Sequence, residues 1–502
     1  MGGIAGWLSR DSSADNPTCI TGNLNNTGCV SGTDAVGGII GRIESSGNAT
    51  FDWNATVNIS SSSLNDDFDG VLGRSYVGGA IGYLSAKVTI QGSIGISGCD
   101  VDSNGFDGYA IGGIVGYNAG TIKKKNTSDV IVCAVRVIAR GSSTVGSIAY
   151  NGNTYSGSII GGIVGFNAGT IEGATRTNRA NGDALDVIST SSRDYLGGIA
   201  GINLGTLKNC ENTSTYVGLL QTTKYGGQYV GGVVGYNAGD IEKCKSTSTV
   251  NGTKYVGGLI GCNDKSELVV DGYTNTATVT GENSVGGIVG ATVASLTIKN
   301  STNSGNISGA YYVGGLVGAC NDASLTVYNC SNTIAVTGSK KSIGGILGGT
   351  TGKSSLAIYD CYNSGEITNT DDLSNVGGIV GRAYTASTTA EAIYIHNCYN
   401  VGAISDTEGT VQNEVYGVGG IVGYLRADAS GVAVVRYCYN KSSVSGKIFV
   451  GGIVGGGYYN HYLTIEYCYA IVDGNNAITS KNDIAGAILG GANGGQGQTV
   501  NF

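Results

Sequence analysis

Short apolar runs recur along the chain, and most are broken by adjacent glycines, as in YVGGVVGYNAGDIEKC from Tyr229 to Cys244. Related phrases begin at Ile111 (IGGIVGYNAGTI), Ile160 (IGGIVGFNAGTI) and Leu196 (LGGIAGINLGTLKNC). Between them the pattern alternates apolar and polar positions, as in SLAIYDCYN (Ser355 to Asn363) and TATVTG (Thr276 to Gly281). Alternation over a few residues predicts strands, and the intervening Gly, Asn and Ser predict turns. No segment sustains a helical period with caps.

Taking the first glycine of each pair or its nearest equivalent, copies begin at Gly2, Gly37, Gly78, Gly112, Gly161, Gly197, Gly231, Gly257, Gly286, Gly314, Gly344, Gly377, Gly419 and Gly451, with a degenerate copy at Gly486. Each unit reads as a GG strand, a second strand ending in cysteine and a short third strand. Three strands and three turns in about 26 to 35 residues make one coil of a solenoid, which buries its faces only by stacking on the next. The expected fold is all-β: residues 1–502 as a single elongated, right-handed parallel β-helix of about fifteen coils, roughly 70 Å long. Propeller blades need longer repeats, and fewer of them.

Read as one strand, YVGGLIG points Val256, Gly258 and Ile260 one way and Tyr255, Gly257, Leu259 and Gly261 the other, leaving both faces apolar or bare. Rows of glycine then serve a tightly packed interior, or an outer face covered by a neighbouring domain or chain. Asn118, Asn167, Asn203 and Asn237 follow the GG phrase at a matched position, which suits stacked corner amides. A second series, Asn332, Asn363, Asn400 and Asn440, falls two residues after a cysteine.

Composition narrows the class. With 89 glycines but a single proline among 502 residues, a collagen triple helix is excluded. Hydrophobic residues make up 41% and charged residues 13%, enough apolar surface to oppose disorder. Net charge is −8 with no basic block, which argues against a nucleic-acid partner. No apolar run approaches the roughly 18 residues of a membrane span. The start, MGGIAGWLSRD, has neither a signal peptide's regions nor a myristoylation signal, and reads as a repeat entered halfway through. A segment of a longer or processed protein is expected.

Of the 13 cysteines, Cys210, Cys244, Cys330, Cys361, Cys398, Cys438 and Cys468 occupy one position of their units, predicting a column of small buried thiols. Coil spacing also lies within disulfide range, so pairing stays geometrically open. In IYDCYN, Cys361 shares a face with Tyr359 and Asn363, opposite Asp360 and Tyr362. Zinc has no C-x₂-C pair, and the two histidines, His396 and His461, lie in no metalloprotease or nucleophile-elbow motif. Asp371 and Asp372 resemble the paired aspartates of polygalacturonases but lack that family's Gly-His-Gly and Arg-Ile-Lys. Two calcium-like strings, Asp100, Asp102, Asn104, Gly105 and Asn65 to Gly70, have Ile111 and Tyr76 where the bidentate Glu belongs. No cofactor or metal is expected. Tyr362, Tyr399, Tyr439 and Tyr469 each follow a ladder cysteine and should form an outward strip; earlier units carry Glu211, Lys245 and Ser331 there. Such a strip serves either as a shield for the sheet or as a contact platform.

The YVGGLIG, YVGGLVG, YNAGTI and C-x-N elements resemble the GLUG-repeat family over nearly the whole chain. The resemblance implies a bacterial extracellular or cell-surface protein, since such repeats occur in adhesins and in non-catalytic parts of immunoglobulin A peptidases. It carries no catalytic residue. The expectation is therefore a non-catalytic structural or adhesive protein, binding glycans or a protein of a host or neighbouring cell, without membrane insertion. A self-assembling fibre subunit is one alternative, and a carbohydrate-active β-helix enzyme another.

Overall fold

The computed structural model describes the chain apart from residues 11–17, 27, 60–69, 104–108, 140–145, 179–186, 190–193, 220–226, 372–373, 387–391, 407–415, 428–430, 460–461, 472–476, 482–484, 495–499 and 502. It is all-β, with long parallel sheets stacked as in a β-solenoid of many coils. Contacts divide it into two compact units, Met1–Thr253 with Leu259–Gly261, and Lys254–Gly258 with Cys262–Phe502.

In the first unit the GG strands pair in strict register: Leu196 lies beside Val230 and Gly197 beside Gly231, and after the glycines Ala200 lies beside Val234 and Asn203 beside Asn237. The second unit repeats this, with Val313 beside Ile343, Gly314 beside Gly344 and Val317 beside Leu347. Among the described residues each of the fifteen phrases is followed by one such strand.

The phrase is not one strand, as the alternation suggested, but two strands joined by a bend. Tyr255–Gly257 stops at the first glycine and Ile260–Asn263 resumes after Gly258 and Leu259. Because the chain turns there, Val256, Leu259 and Ile260 are all buried instead of alternating. Each glycine of the bend is a space requirement. A Cβ on the first would stand 1.8–2.2 Å from the carbonyl oxygen three residues on, as at Gly314 against Val317. One on the second would strike the equivalent glycine of the next coil, as Gly315 does with the Gly345 oxygen at 2.0 Å. The glycines therefore serve the tight interior.

A coil of the second unit also holds five short strands, not three. One runs Val317–Asn321, Ser324–Tyr328, Ser331–Asn332, Val336–Gly338 and Ile343–Gly344. Its inward residues, Leu325, Val327, Cys330, Asn332 and Val336, line the core beside their counterparts in adjacent coils. The described departure from parallel pairing is a hairpin in the first unit, Ser147–Tyr150 with Asn153–Ser156, inserted between the phrases at Gly112 and Gly161.

Candidate functional site

The corner before each ladder cysteine sets which side chains face out. Asn329, Asp360, Asn397, Tyr437 and Tyr467 adopt φ of 50–55°, a left-handed conformation. That residue interrupts the alternation, so Cys361 and Asn363 turn inward while Tyr359 stays half-exposed. The expected sharing of a face by Cys361 and Tyr359 is thus corrected. Each thiol turns back to donate to the carbonyl two residues earlier: Cys330, Cys361, Cys398, Cys438 and Cys468 reach the oxygens of Tyr328, Tyr359, His396, Arg436 and Glu466 at 3.2 Å. Cys210 and Cys244 do the same at 3.4 and 3.5 Å. All thirteen cysteines are free of disulfides. Burial pushes the thiols of Cys361, Cys398 and Cys438 well up; the hydrogen bond with the preceding thiol adds to this and that with the following thiol opposes it.

Two residues on, the amides form a continuous ladder. Asn332 donates to Asn363 at 2.7 Å, Asn363 to Asn400 at 2.7 Å and Asn400 to Asn440 at 2.8 Å. The ladder begins earlier than the cysteine pattern indicated, with Asn275 donating to Asn303 and Asn303 to Asn332, both at 2.7 Å. Those coils carry Tyr273 and Ser301 in the cysteine's place, which hid the register. The first unit has its own row, Asn118 to Asn167 to Asn203 to Asn237, each step 2.8 Å. The amides of the second unit's ladder lie against the second glycine of the phrase, where a Cβ on Gly378 would stand 2.5 Å from Asn400 Cγ.

Between cysteine and asparagine, the tyrosines come together as the sequence indicated. Tyr362 pairs in register with Tyr399, Tyr399 with Tyr439 and Tyr439 with Tyr469. Their rings stack at centroid distances of 5.1, 4.9 and 5.2 Å with interplanar angles of 5°, 2° and 6°. Burial, then the neighbouring phenols, pushes the hydroxyls of Tyr399 and Tyr439 above their ordinary range, so they stay protonated donors. In the first unit Glu211 and Lys245 occupy the equivalent position of their coils, paired at 2.9 Å.

Sequence reasoning missed a second column beside this one. Tyr437 and Tyr467, on the other side of the cysteine, stack at 5.0 Å and are 49% and 69% exposed; Tyr469 is 52% exposed. The doublets RYCYN and EYCYA are the signal that could have found it. A further aromatic row lies on the first unit, where Tyr83, Tyr117 and Phe166 stack at 5.1 Å per step. The inserted hairpin lays Tyr150 and Tyr155 edge-on against Phe166 and covers it. Its signal was the aromatic preceding three of that unit's four ladder asparagines, Tyr117, Phe166 and Tyr236, with Ile202 at the fourth.

The remaining candidates do not converge. His396 stacks on Tyr394 at 5.5 Å and meets Tyr437 edge-on. Asp371 is exposed, while Asp372, His461, Asn104, Gly105 and residues 65–69 lie outside the described residues. Asp100 and Asp102 are buried at a strand end, not at a loop tip, and Arg136 clasps the Asp100 carboxylate. Among the described residues no group of three or more His, Cys, Asp or Glu could hold a metal ion.

Residues 226–251 match the family model described as the GLUG motif. That coil is a GLUG repeat. It contains the strands Tyr229–Gly231, Val234–Asn237, Asp240–Glu242, Lys245–Ser246 and Thr249–Asn251, and with them a ladder asparagine, Asn237, and a ladder cysteine, Cys244. The GLUG phrase is thus the bend itself, set where its glycines admit neighbouring backbone. No curated protein and no solved structure matches the chain.

Proposed function

We propose that this GLUG-repeat chain is a non-catalytic structural and adhesive element displayed outside a bacterial cell, with the tyrosine row of the second unit as its contact surface. The observation that carries the reading is the half-exposed stack Tyr362–Tyr399–Tyr439–Tyr469, one ring per coil on rigid in-register strands. Stacked phenols offer large contact area with few rotors to freeze, which suits weak recognition repeated along a surface. The GLUG coil adds the setting, because such repeats belong to large bacterial surface proteins.

The test is binding of the labelled chain to bacterial and host cells, wild type against Tyr362→Ser/Tyr399→Ser/Tyr439→Ser/Tyr469→Ser. Binding should be lost while the β circular-dichroism spectrum is kept. Unchanged binding by the fourfold variant, or turnover of a polysaccharide by the wild type, would overturn the reading.

A further inference from the structure

We infer that the partner of the tyrosine row is a neutral, linear, β-linked polysaccharide lying along the coil axis; the inference rests on the adhesive reading above. Three observations carry it. The first is which part of each ring is available. Tyr399 and Tyr439 have a ring stacked on both faces, so no flat aromatic platform is left on them. What they present is ring edge and phenol hydroxyl, and no described residue bonds the hydroxyls of the four tyrosines. The row is therefore a line of hydrogen-bond donors at an apolar edge, which matches a polymer carrying hydroxyls on an apolar ring skeleton.

The second observation is period. The rings, each carrying one hydroxyl, recur at centroid spacings of 4.9–5.2 Å. A linear partner that keeps step with the row must repeat at that spacing or at a whole multiple of it. An extended polypeptide advances about 3.3 Å per residue and presents one face every two residues, so it falls out of step within a few coils. A hexose unit in an extended β-linked chain is about as long as one coil step, and because successive units are turned over, the same edge returns at every second coil and the chain stays in phase along the row.

The third is charge. Exposed charges close to the row in sequence are of both signs, Asp360 and Glu366 against Lys441, and Arg436 is held by Glu466 at 3.1 Å. Nothing there accumulates the charge that would capture a polyanion or a polycation. The row takes a neutral chain.

The experiment measures binding of β-1,4-linked glucose oligomers to the full chain by calorimetry. The hexamer should bind about tenfold tighter than the trimer, because added units reach added coils. Tyr399→Phe/Tyr439→Phe keeps the stack and removes two hydroxyls, and should weaken the hexamer about fivefold or more with the fold unchanged. Absence of glucan binding, equal affinity for trimer and hexamer, or a Phe variant that binds like wild type would each overturn the inference. Cell binding that disappears after protease treatment of the cells, with no glucan binding, overturns it while leaving the adhesive reading intact. Glucan binding without any cell binding has the opposite meaning.

Discussion

At the corner before the ladder cysteine, the chain asks one residue per coil to adopt left-handed backbone, and the sequence meets that demand unevenly. Asn209, Asn329, Asp360 and Asn397 are of the residue types that tolerate the conformation, whereas Lys243 at φ 50° is not. Lys243 is exposed, so Lys243→Asn should raise stability by about 0.5–1 kcal/mol, read as a higher denaturation midpoint with unchanged slope. Asp406 is a second residue-level liability. It is buried, accepts from Asn369 Nδ2 at 2.6 Å, and burial pushes its carboxyl up to about 7. A raised folded-state value means the folded chain holds the proton more tightly. The stabilisation is thus complete below about pH 4 and is lost as pH rises through about 7, at no more than roughly 1.4 kcal/mol per pH unit. Asp406→Asn should flatten that part of the stability–pH curve and melt higher than wild type at pH 8; a parallel pair of curves would contradict this.

At the scale of the strand, the repeating phrase announced a parallel stack, because residues at matched positions of successive coils become neighbours. The amide and tyrosine rows followed for the same reason: Asn363 and Tyr399 could be placed by counting from a cysteine. What stayed hidden was the bend inside GG, since period-two alternation has no mark for a chain that turns between two strands. The phase error at Tyr359 had a similar source, as one positive φ at Asp360 resets the alternation. The hairpin Ser147–Ser156 had a local signal, the Asn151–Gly152 turn with positive φ at both residues, which a reading keyed to the repeat passed over. The bend carries its own expectation. A methyl at Gly315 would stand 2.0 Å from the Gly345 oxygen and 2.7 Å from Asn332 Cγ, both fixed by their own bonds. Gly315→Ala should cost about 3 kcal/mol or prevent folding, whereas Gly152→Ala in the hairpin turn meets no neighbouring atom and should cost only the strain of its φ of 82°.

Across the chain the cysteines divide by burial. Cys19 and Cys29 are exposed, Cys468 is intermediate and the other ten are buried. Burial pushes Cys262 and Cys320 up to about 12, leaving almost no thiolate at pH 8. A disulfide-exchange reagent should label Cys19 and Cys29 promptly in the native protein and all thirteen only after denaturation without reductant. Fewer than half titrating would show that the column is oxidised.

The amide ladders have a direction. In both units every described rung donates from the earlier asparagine to the later one, from Asn118 towards Asn237 and from Asn275 towards Asn440. Aligned amides polarise one another, so a rung in the middle is strengthened from both sides and a terminal rung from one. Asn440 faces Ala470 in the next coil, so its row ends there. Replacing Asn363 by alanine should therefore destabilise the second unit more than replacing Asn440, by about 1 kcal/mol or more. A row of this kind has a head and a tail, so one amide turned over about its own side-chain bond would meet donor with donor on one side and acceptor with acceptor on the other. A single reversed amide forfeits the bonds on both its sides, so each rung holds its neighbours to one orientation.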